Sequence, residues 1–274
     1  MWEAASDLID EGRGDVGATA RADAAVSKVE IPQYRLRGIV AVWAAAALPM
    51  GALAWLVASA LEDQFGGEEN VPMLKALLIC MTAGLIWQFV LVALLVRREQ
   101  GTLRWPVVRE ALWLRTPRSP KTGRRGGRLW LIVIPLIVLT AVEGALPTPP
   151  HPENRDFGDL LSSDAVQDFL SGAWGWYGLI LVLFLFNTVL GEELLFRGLL
   201  LPRMNGAFGR GDWVANGVLF AGYHLHVPWV IPWTLLDTFF LAYPTKRYRS
   251  AWMGIIVHSA QSVVFAIIIF TYVV

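Results

Sequence analysis

Long apolar runs constrain this chain more than any other feature of its sequence. A transmembrane helix needs roughly 20 mostly apolar residues, because the hydrocarbon core is about 30 Å thick and a helix rises 1.5 Å per residue. Several runs reach that length, mean hydropathy is +0.48, and only 17% of the residues are charged. A soluble domain is usually less apolar. The sequence therefore predicts an all-α, polytopic integral membrane protein.

About seven transmembrane helices are predicted. Several are short or contain proline, so we expect them to be kinked, tilted or partly re-entrant. The spans are residues 38–61, 71–96, 129–145, 174–201, 213–226, 229–243 and 251–272. Three regions follow: a disordered cytoplasmic tail at 1–36, two helices and a basic loop at 37–128, and a membrane-embedded domain at 129–274.

The basic loop at residues 97–128 indicates the orientation. It carries ten lysines and arginines against two acidic residues, Glu99 and Glu110. Cytoplasmic loops are enriched in basic residues, whereas the acidic residues of this chain concentrate at 62–69 and 153–168. We expect a multi-pass protein of the cell membrane with its N-terminus in the cytoplasm and, with seven spans, its C-terminus outside. The bilayer is its expected partner, and nothing points to nucleic acid.

Ionisable side chains interrupt three of the predicted spans. The fourth contains Glu192, Glu193 and Arg197, the fifth contains His224, and the last contains His258. At 1.5 Å per residue, Glu192, His224 and His258 all lie roughly 13–17 Å from the inner interface. An ionisable group inside a bilayer costs about 2.5–3.5 kcal/mol on insertion scales, so it marks a functional site by default. One site shared by three helices is predicted.

Helical spacing separates the roles of the two glutamates. Glu193 and Arg197 are four residues apart and share a face, which predicts an ion pair. Glu192 is turned about 100° away, which leaves it free to act as a general base that takes a proton from water. His224 and His258 could hold that water, bind a metal together or stabilise a carbonyl oxygen. The remaining polar residues of these spans are interpreted as helix–helix hydrogen-bonding groups: Asn187, Asn216, Tyr223, His226 and Asp237.

These motifs resemble those of the CPBP (Abi) intramembrane proteases, which are related to the type II CAAX prenyl endopeptidases. The matching elements are Glu-Glu-x-x-x-Arg at 192–197, Phe-x-x-x-His at 220–224, and His258 followed four residues later by a small polar residue. The resemblance covers about 174–273. It implies that Glu192 activates the attacking water, that Glu193 and Arg197 support the site, and that His224 and His258 complete it.

One position departs from the family pattern. The family usually has Asn or Asp four residues after the last histidine, and this chain has Ser262 there. Ser262 shares the face of His258 and can donate one hydrogen bond, so any stabilisation of an oxyanion at this position rests on a single hydroxyl group.

Metal dependence is left open by the sequence. His224 and His258 with a carboxylate would supply three ligands, which a catalytic zinc accepts with water in the fourth position. However, a Glu192 that acts as the base should not also be a tight ligand, and no His-Glu-x-x-His helix is present. The favoured mechanism is glutamate-activated water flanked by two histidines, either with zinc or another divalent metal or without one.

The predicted function is that of an endopeptidase acting on a membrane-associated substrate, either a prenylated CAAX-type protein or a small peptide. Its cavity is expected to open to the cytoplasm. A non-catalytic scaffold or bacteriocin-immunity protein of the same fold is the alternative that Ser262 suggests. A proton-coupled transporter that uses Glu192, His224, His258 and Asp237 as a relay is another alternative. Such transporters usually have paired halves with broken helices, and no such pairing is visible in the sequence.

Overall fold

Helices account for the regular structure of residues 29–274, the part of the chain that the computed structural model describes. Six helices organise the molecule: α1 Leu36–Glu62, α2 Val71–Gln100, α3 Gly127–Gly144, α4 Trp174–Arg203, α5 Asp212–Tyr223 and α6 Trp252–Val273. Shorter segments connect them: Trp105–Ala111, Phe157–Ser162, Asp164–Leu170, Asn205–Phe208, Ile231–Thr234, Thr238–Ala242 and Tyr243–Tyr248. The all-α prediction is confirmed. Most of the predicted tail lies outside the described residues.

Within residues 29–274, five helices are long and apolar enough to cross a membrane, namely α1 to α4 and α6. Large apolar side chains on their outer faces are more than half exposed, among them Leu56, Leu94, Val142 and Ile267. Monomeric soluble proteins rarely present such extended apolar surfaces to water, whereas lipid accommodates them. The chain is therefore a multi-pass membrane protein.

The predicted fifth and sixth spans take a different form. Helix α5 has 12 residues, about 18 Å of rise, and it ends at Tyr223. Pro228 explains why the helix does not resume at once, because the residue before a proline is driven out of the helical region, and Val227 has φ −141°. The predicted span at 229–243 is divided into short helical pieces. The count of seven stays a prediction.

The turn after α5 contacts the loop that follows α3. The indole N–H of Trp229 donates to the Asp156 carboxylate at 2.8 Å, and that of Trp233 donates to the carbonyl of Pro147 at 3.1 Å. His151 stacks on Trp229 with ring centroids 5.2 Å apart. These contacts fix the position of the chain just beyond the end of α5.

The sequence of residues 156–170, with apolar side chains at 157, 160, 161, 166 and 169, predicts one short amphipathic helix whose apolar face rests on the outer membrane interface. The structure instead has two short helices there. They are separated at Ser163, whose backbone is extended at φ −75° and ψ 129°. Their apolar side chains pack inside the protein against α2, α4 and α6, with Leu160, Val166 and Leu170 fully buried. The expectation that this face rests on lipid is therefore wrong, because neighbouring helix ends cover it.

A buried ion pair joins the ends of α2 and α4. The Arg203 guanidinium is fully buried and its Nε donates to both carboxylate oxygens of Glu99, at 3.1 and 3.0 Å. Tyr34, just before α1, also donates to Glu99 through its hydroxyl, and its backbone N–H donates to the carbonyl of Arg203 at 2.8 Å. Burial and this hydrogen bond to Glu99 raise the pKa of Tyr34. The start of α1 is thus fixed beside the end of α4.

Candidate active site

Helix α4 carries its two glutamates between π-helical turns. Phe186–Gly191 and Leu194–Leu200 are both π-helical, and such turns occur frequently at functional sites. Glu192 is 2% exposed and Glu193 is fully buried. Buried charged groups are expected to have specific partners, and each glutamate has a different set.

Glu193 is the centre of a buried ionic cluster. Its Oε1 lies 3.3 Å from a terminal guanidinium nitrogen of Arg197 and 3.1 Å from Nδ1 of His258. The predicted Glu193–Arg197 pair is therefore confirmed. Its contact is ionic rather than a well-directed hydrogen bond, since the guanidinium nitrogens lack hydrogen-bond partners among residues 29–274. The guanidinium lies 3.8 Å from the Phe220 ring centroid, a cation–π contact that compensates in part.

Gly254 of α6 allows this cluster to form. A Cβ atom at that position would lie 2.4 Å from Oε2 of Glu193 and 3.2 Å from Cγ of Arg197. Real Cβ atoms essentially never approach a heavy atom under 3.0 Å. The glycine therefore lets the backbone of α6 approach α4 closely enough for His258, one turn further along, to reach Glu193.

Glu192 belongs to a second group, with His224 and His226. One ligand atom from each of these three side chains lies within 4.8 Å of the other two. The hydroxyl of Tyr223 lies near the Glu192 carboxylate and accepts a bond from Nε2 of Gln88 at 2.6 Å. Glu192 is thus separate from the Glu193–Arg197 pair, as its position on the helix predicts.

The end of α5 places both histidines in this group. Because the helix stops at Tyr223, His224 and His226 lie on the turn that follows it, with ring centroids 5.3 Å apart. Nδ1 of His224 is 2.9 Å from the carbonyl of Phe220, so Nδ1 donates there and Nε2 is left for another partner. His226 was interpreted as a helix–helix hydrogen-bonding residue, but its Nδ1 is buried without a partner among the described residues.

His258 also contacts the Phe220 ring. The ring centroid of Phe220 is 4.9 Å from that of His224 and 6.0 Å from that of His258. The structure therefore brings Glu192 together with His224, and His258 together with Glu193. The two groups are adjacent because the two glutamates are consecutive, and His224, His258 and Arg197 each contact the Phe220 ring.

The other polar residues occupy supporting positions. Ser262 is 9% exposed, and its hydroxyl has no hydrogen bond to any residue in 29–274. Gln261 faces α3, with its amide nitrogen 3.6 Å from the position that a Cβ would take on Gly144. Asn216 donates to the carbonyl of Phe196 at 2.8 Å, which is the predicted helix–helix hydrogen bond. Asp237 is 8% exposed, and one of its oxygens has no hydrogen-bond partner in the described part of the chain.

Two residues of the site were missed from the sequence. Gln88 is fully buried in α2, outside the motif region, and the signal was a lone amide within an otherwise apolar run. His226 follows His224 by two residues, and the signal was the proline at 228, which indicates a turn rather than a continuing helix.

Glu192, His224 and His226 fit a divalent metal better than the predicted pairing of His224 with His258. Their ligand atoms lie within 4.8 Å of one another, so small side-chain movements would bring them to the separation of about 3.3 Å found between ligands in a tetrahedral zinc site. The Nδ1 bond of His224 to a carbonyl is the usual arrangement for a metal ligand. A comparable group at His151, Asp156 and Asp159 differs in a decisive way. Both ring nitrogens of that histidine are already hydrogen-bonded, to Pro149 and Asp159.

The fold and the site together define a membrane-embedded protein with buried carboxylates and histidines on converging helices. Residues 174–264 match the family described as "Type II CAAX prenyl endopeptidase Rce1-like", which is roughly a third of the chain. This segment is therefore similar to the Rce1-like family, in agreement with the resemblance to the CPBP proteases that its motifs indicate. The match supports a CAAX-type intramembrane protease in general. No curated protein and no solved structure matches the chain.

Proposed function

We propose that this protein is an intramembrane endopeptidase that hydrolyses a peptide bond with water activated by Glu192. The observation that carries the proposal is the buried group of Glu192, His224 and His226, whose polar atoms lie within 4.8 Å of one another. A general base must be within hydrogen-bonding reach of the proton it takes, directly or through one water. The family match over this segment adds independent support.

The roles follow from the hydrogen bonds. Glu192 is the base, because its carboxylate has no cationic partner within salt-bridge distance among residues 29–274, whereas Glu193 is paired with Arg197. His224 presents Nε2 to the same space, since its Nδ1 donates to Phe220, so it can accept a hydrogen bond from the water. Tyr223 orients the Glu192 carboxylate and is itself fixed by Gln88.

His258 is the candidate for stabilising the oxyanion. Glu193 accepts the proton of its Nδ1 at 3.1 Å, which fixes the ring and directs Nε2 away from Glu193. Nε2 carries a proton, and can donate, only in the imidazolium form, which the adjacent Glu193 carboxylate stabilises. A donor aimed at the developing negative charge is commonly the largest single contribution to acyl-transfer catalysis. Ser262, one turn further along α6, offers a second donor.

A divalent cation would be held by His224 and His226 with Glu192, and when bound it would polarise a water molecule or the substrate carbonyl. In its absence the same three side chains still orient the water. The substrate is expected to be membrane-associated, either a prenylated CAAX-type chain or a small peptide. The site is expected to open towards the cytoplasm, in keeping with the predicted orientation.

Glu192→Gln tests the base. Purified full-length protein in detergent is given a quenched fluorescent peptide, either farnesylated on a CAAX sequence or unmodified. We expect the variant to lose at least about 100-fold in rate, the usual contribution of a general base, while Glu69→Gln, an exposed outer-loop change, keeps full activity. Unchanged hydrolysis by Glu192→Gln would refute the proposed role.

A non-catalytic scaffold or immunity protein is the second candidate, and the unbonded Ser262 hydroxyl favours it. In that case wild type and Glu192→Gln protect cells equally from a membrane-active peptide, and neither cleaves any peptide offered. Protection that depends on Glu192 would support the protease instead.

A further inference from the structure

An open cavity of about 380 Å³ lies at the start of α3 and α6, and neither Glu192 nor Glu193 is among the residues that line it. Trp130 in the first turns of α3 and Trp252 at the first residue of α6 form part of its wall. The loop opposite is a short hairpin in which Arg118 pairs with Arg125, and the backbone N–H of Arg118 donates to the carbonyl of Tyr248 at 3.0 Å. The cavity is thus built by the basic loop folding back against two membrane helices.

The cavity walls carry more positive than negative charge. Arg109, Arg115 and Arg125 line it, and Glu110 is the acidic residue among them. Glu110 is shared, with one oxygen 3.5 Å from Arg109 and the other 3.2 Å from Arg115. Arg125 is exposed and has no acidic partner among residues 29–274. The site therefore has an excess of cationic groups that a single carboxylate does not neutralise.

Arg115 lies close to other positively charged side chains of the cavity wall. Its Nε donates to the carbonyl of Arg249 at 3.0 Å, which fixes the guanidinium at the cavity wall. Burial lowers the pKa of Arg115, Glu110 acts in the opposite direction, and the nearby Arg249 and Arg125 lower it further. An anion entering the cavity would relieve the repulsion among these arginines.

Neutral donors complete the site. The indole N–H groups of Trp130 and Trp252 make no hydrogen bond to any acceptor in the described part of the chain. Phosphate oxygens accept well from both guanidinium and neutral N–H groups. The cavity wall thus contains three cationic side chains and two tryptophans whose indole N–H groups are not engaged by another residue in 29–274.

We propose that this cavity binds the phosphate of an anionic phospholipid. A lipid headgroup is favoured over a free anion because the cavity lies where two apolar helices begin, and tryptophan side chains favour that level of the bilayer. The predicted orientation places it on the cytoplasmic side, where basic residues near the surface each add about 1 kcal/mol of attraction to anionic lipid.

Titration of the purified full-length protein in neutral detergent tests the proposal. The probes are phosphatidylglycerol and phosphatidylcholine with identical acyl chains, and inorganic phosphate. We expect phosphatidylglycerol to bind about 20-fold more tightly than phosphatidylcholine. The double variant Arg109→Gln with Arg125→Gln should lose roughly 25-fold for phosphatidylglycerol, about fivefold per arginine. Arg210→Gln, which removes an exposed arginine outside the cavity, should leave binding unchanged.

Three results would overturn the proposal. They are equal binding of the two lipids, undiminished phosphatidylglycerol binding by the double variant, and inorganic phosphate binding as tightly as the lipid, which would indicate a free-anion site. Both substituted arginines are exposed, so the double variant should melt at the wild-type temperature. Lipid binding is independent of the proposed hydrolysis and should persist in Glu192→Gln.

Discussion

Gly254→Ala should disrupt the Glu193 cluster from the opposite helix. The new Cβ would lie 2.4 Å from Oε2 of Glu193, whereas ordinary contact begins near 3.4 Å, so the carboxylate or α6 must move by about 1 Å. The carboxylate cannot yield freely, because its other oxygen contacts His258 and Arg197. A shift of that size would lengthen the 3.1 Å contact to His258 to about 4 Å, beyond hydrogen-bonding distance.

The loss of stability caused by Gly254→Ala is best measured against the same substitution at a glycine that has free space around it. Gly178 in α4 has no atom within 4 Å of its potential Cβ, so Gly178→Ala gains the same helix propensity without a clash. Overpacking of a buried site costs typically about 1–3 kcal/mol. At about 2–4 °C per kcal/mol for a chain of this size, Gly254→Ala should melt roughly 2–12 °C below Gly178→Ala.

Thermal unfolding in detergent, followed by tryptophan fluorescence, measures this difference, and the peptide-cleavage assay measures its effect on the site. We expect Gly254→Ala to be slower as well as less stable, since His258 loses its orienting contact. If Gly254→Ala melts at or above Gly178→Ala and cleaves at the wild-type rate, then α6 does not pack on Glu193 as the structure shows.

Two further perturbations probe the hydrogen bonds around the site and the outer loop. Gln88→Leu removes the hydrogen-bond donor to Tyr223, so it should lower the free energy of unfolding by about 1 kcal/mol and slow peptide cleavage. Adding Tyr223→Phe should restore part of that free energy, because the hydroxyl group left without a donor is also removed. If the losses of the two single variants simply add in the double variant, the direct bond is contradicted. The hydrogen bond to Pro149 raises the pKa of His151, burial opposes this, and Asp159 and Asp156 raise it further. The resulting stabilisation should be complete below pH 6.5, the ordinary pKa, and lost as pH rises through the raised value. Melting temperatures of wild type and His151→Gln should therefore converge at high pH, and a constant difference across that range would refute the assignment.

The sequence predicted the long helices well because bilayer thickness sets their length. The predicted spans at 71–96, 174–201 and 251–272 agree with α2, α4 and α6 to within about four residues. The predicted fifth and sixth spans do not share this agreement. Hydropathy reports whether a segment is apolar, but a turn buried inside the protein is as apolar as a helix in lipid.

The site was predictable where it depends on local geometry. Glu193 and Arg197 pair because residues four apart share a helix face, and Glu192 is free for the same reason. The partners of His258 and His226 depend on how helices rotate about their axes and on where α5 ends. Neither property is encoded in the spacing of one motif. The sequence therefore predicted His258 as the second histidine beside Glu192 and His224, whereas the structure places His226 there.

The bond from Gln88 to Tyr223 crosses the boundary of the family match, because α2 lies before residue 174. A fragment cut to residues 174–264 would retain every motif residue and still lose the donor that fixes Tyr223 against Glu192. Residues 174–264 alone would therefore not reproduce the complete site. Exchange of that segment between related proteins would have to carry the facing residue of α2 with it.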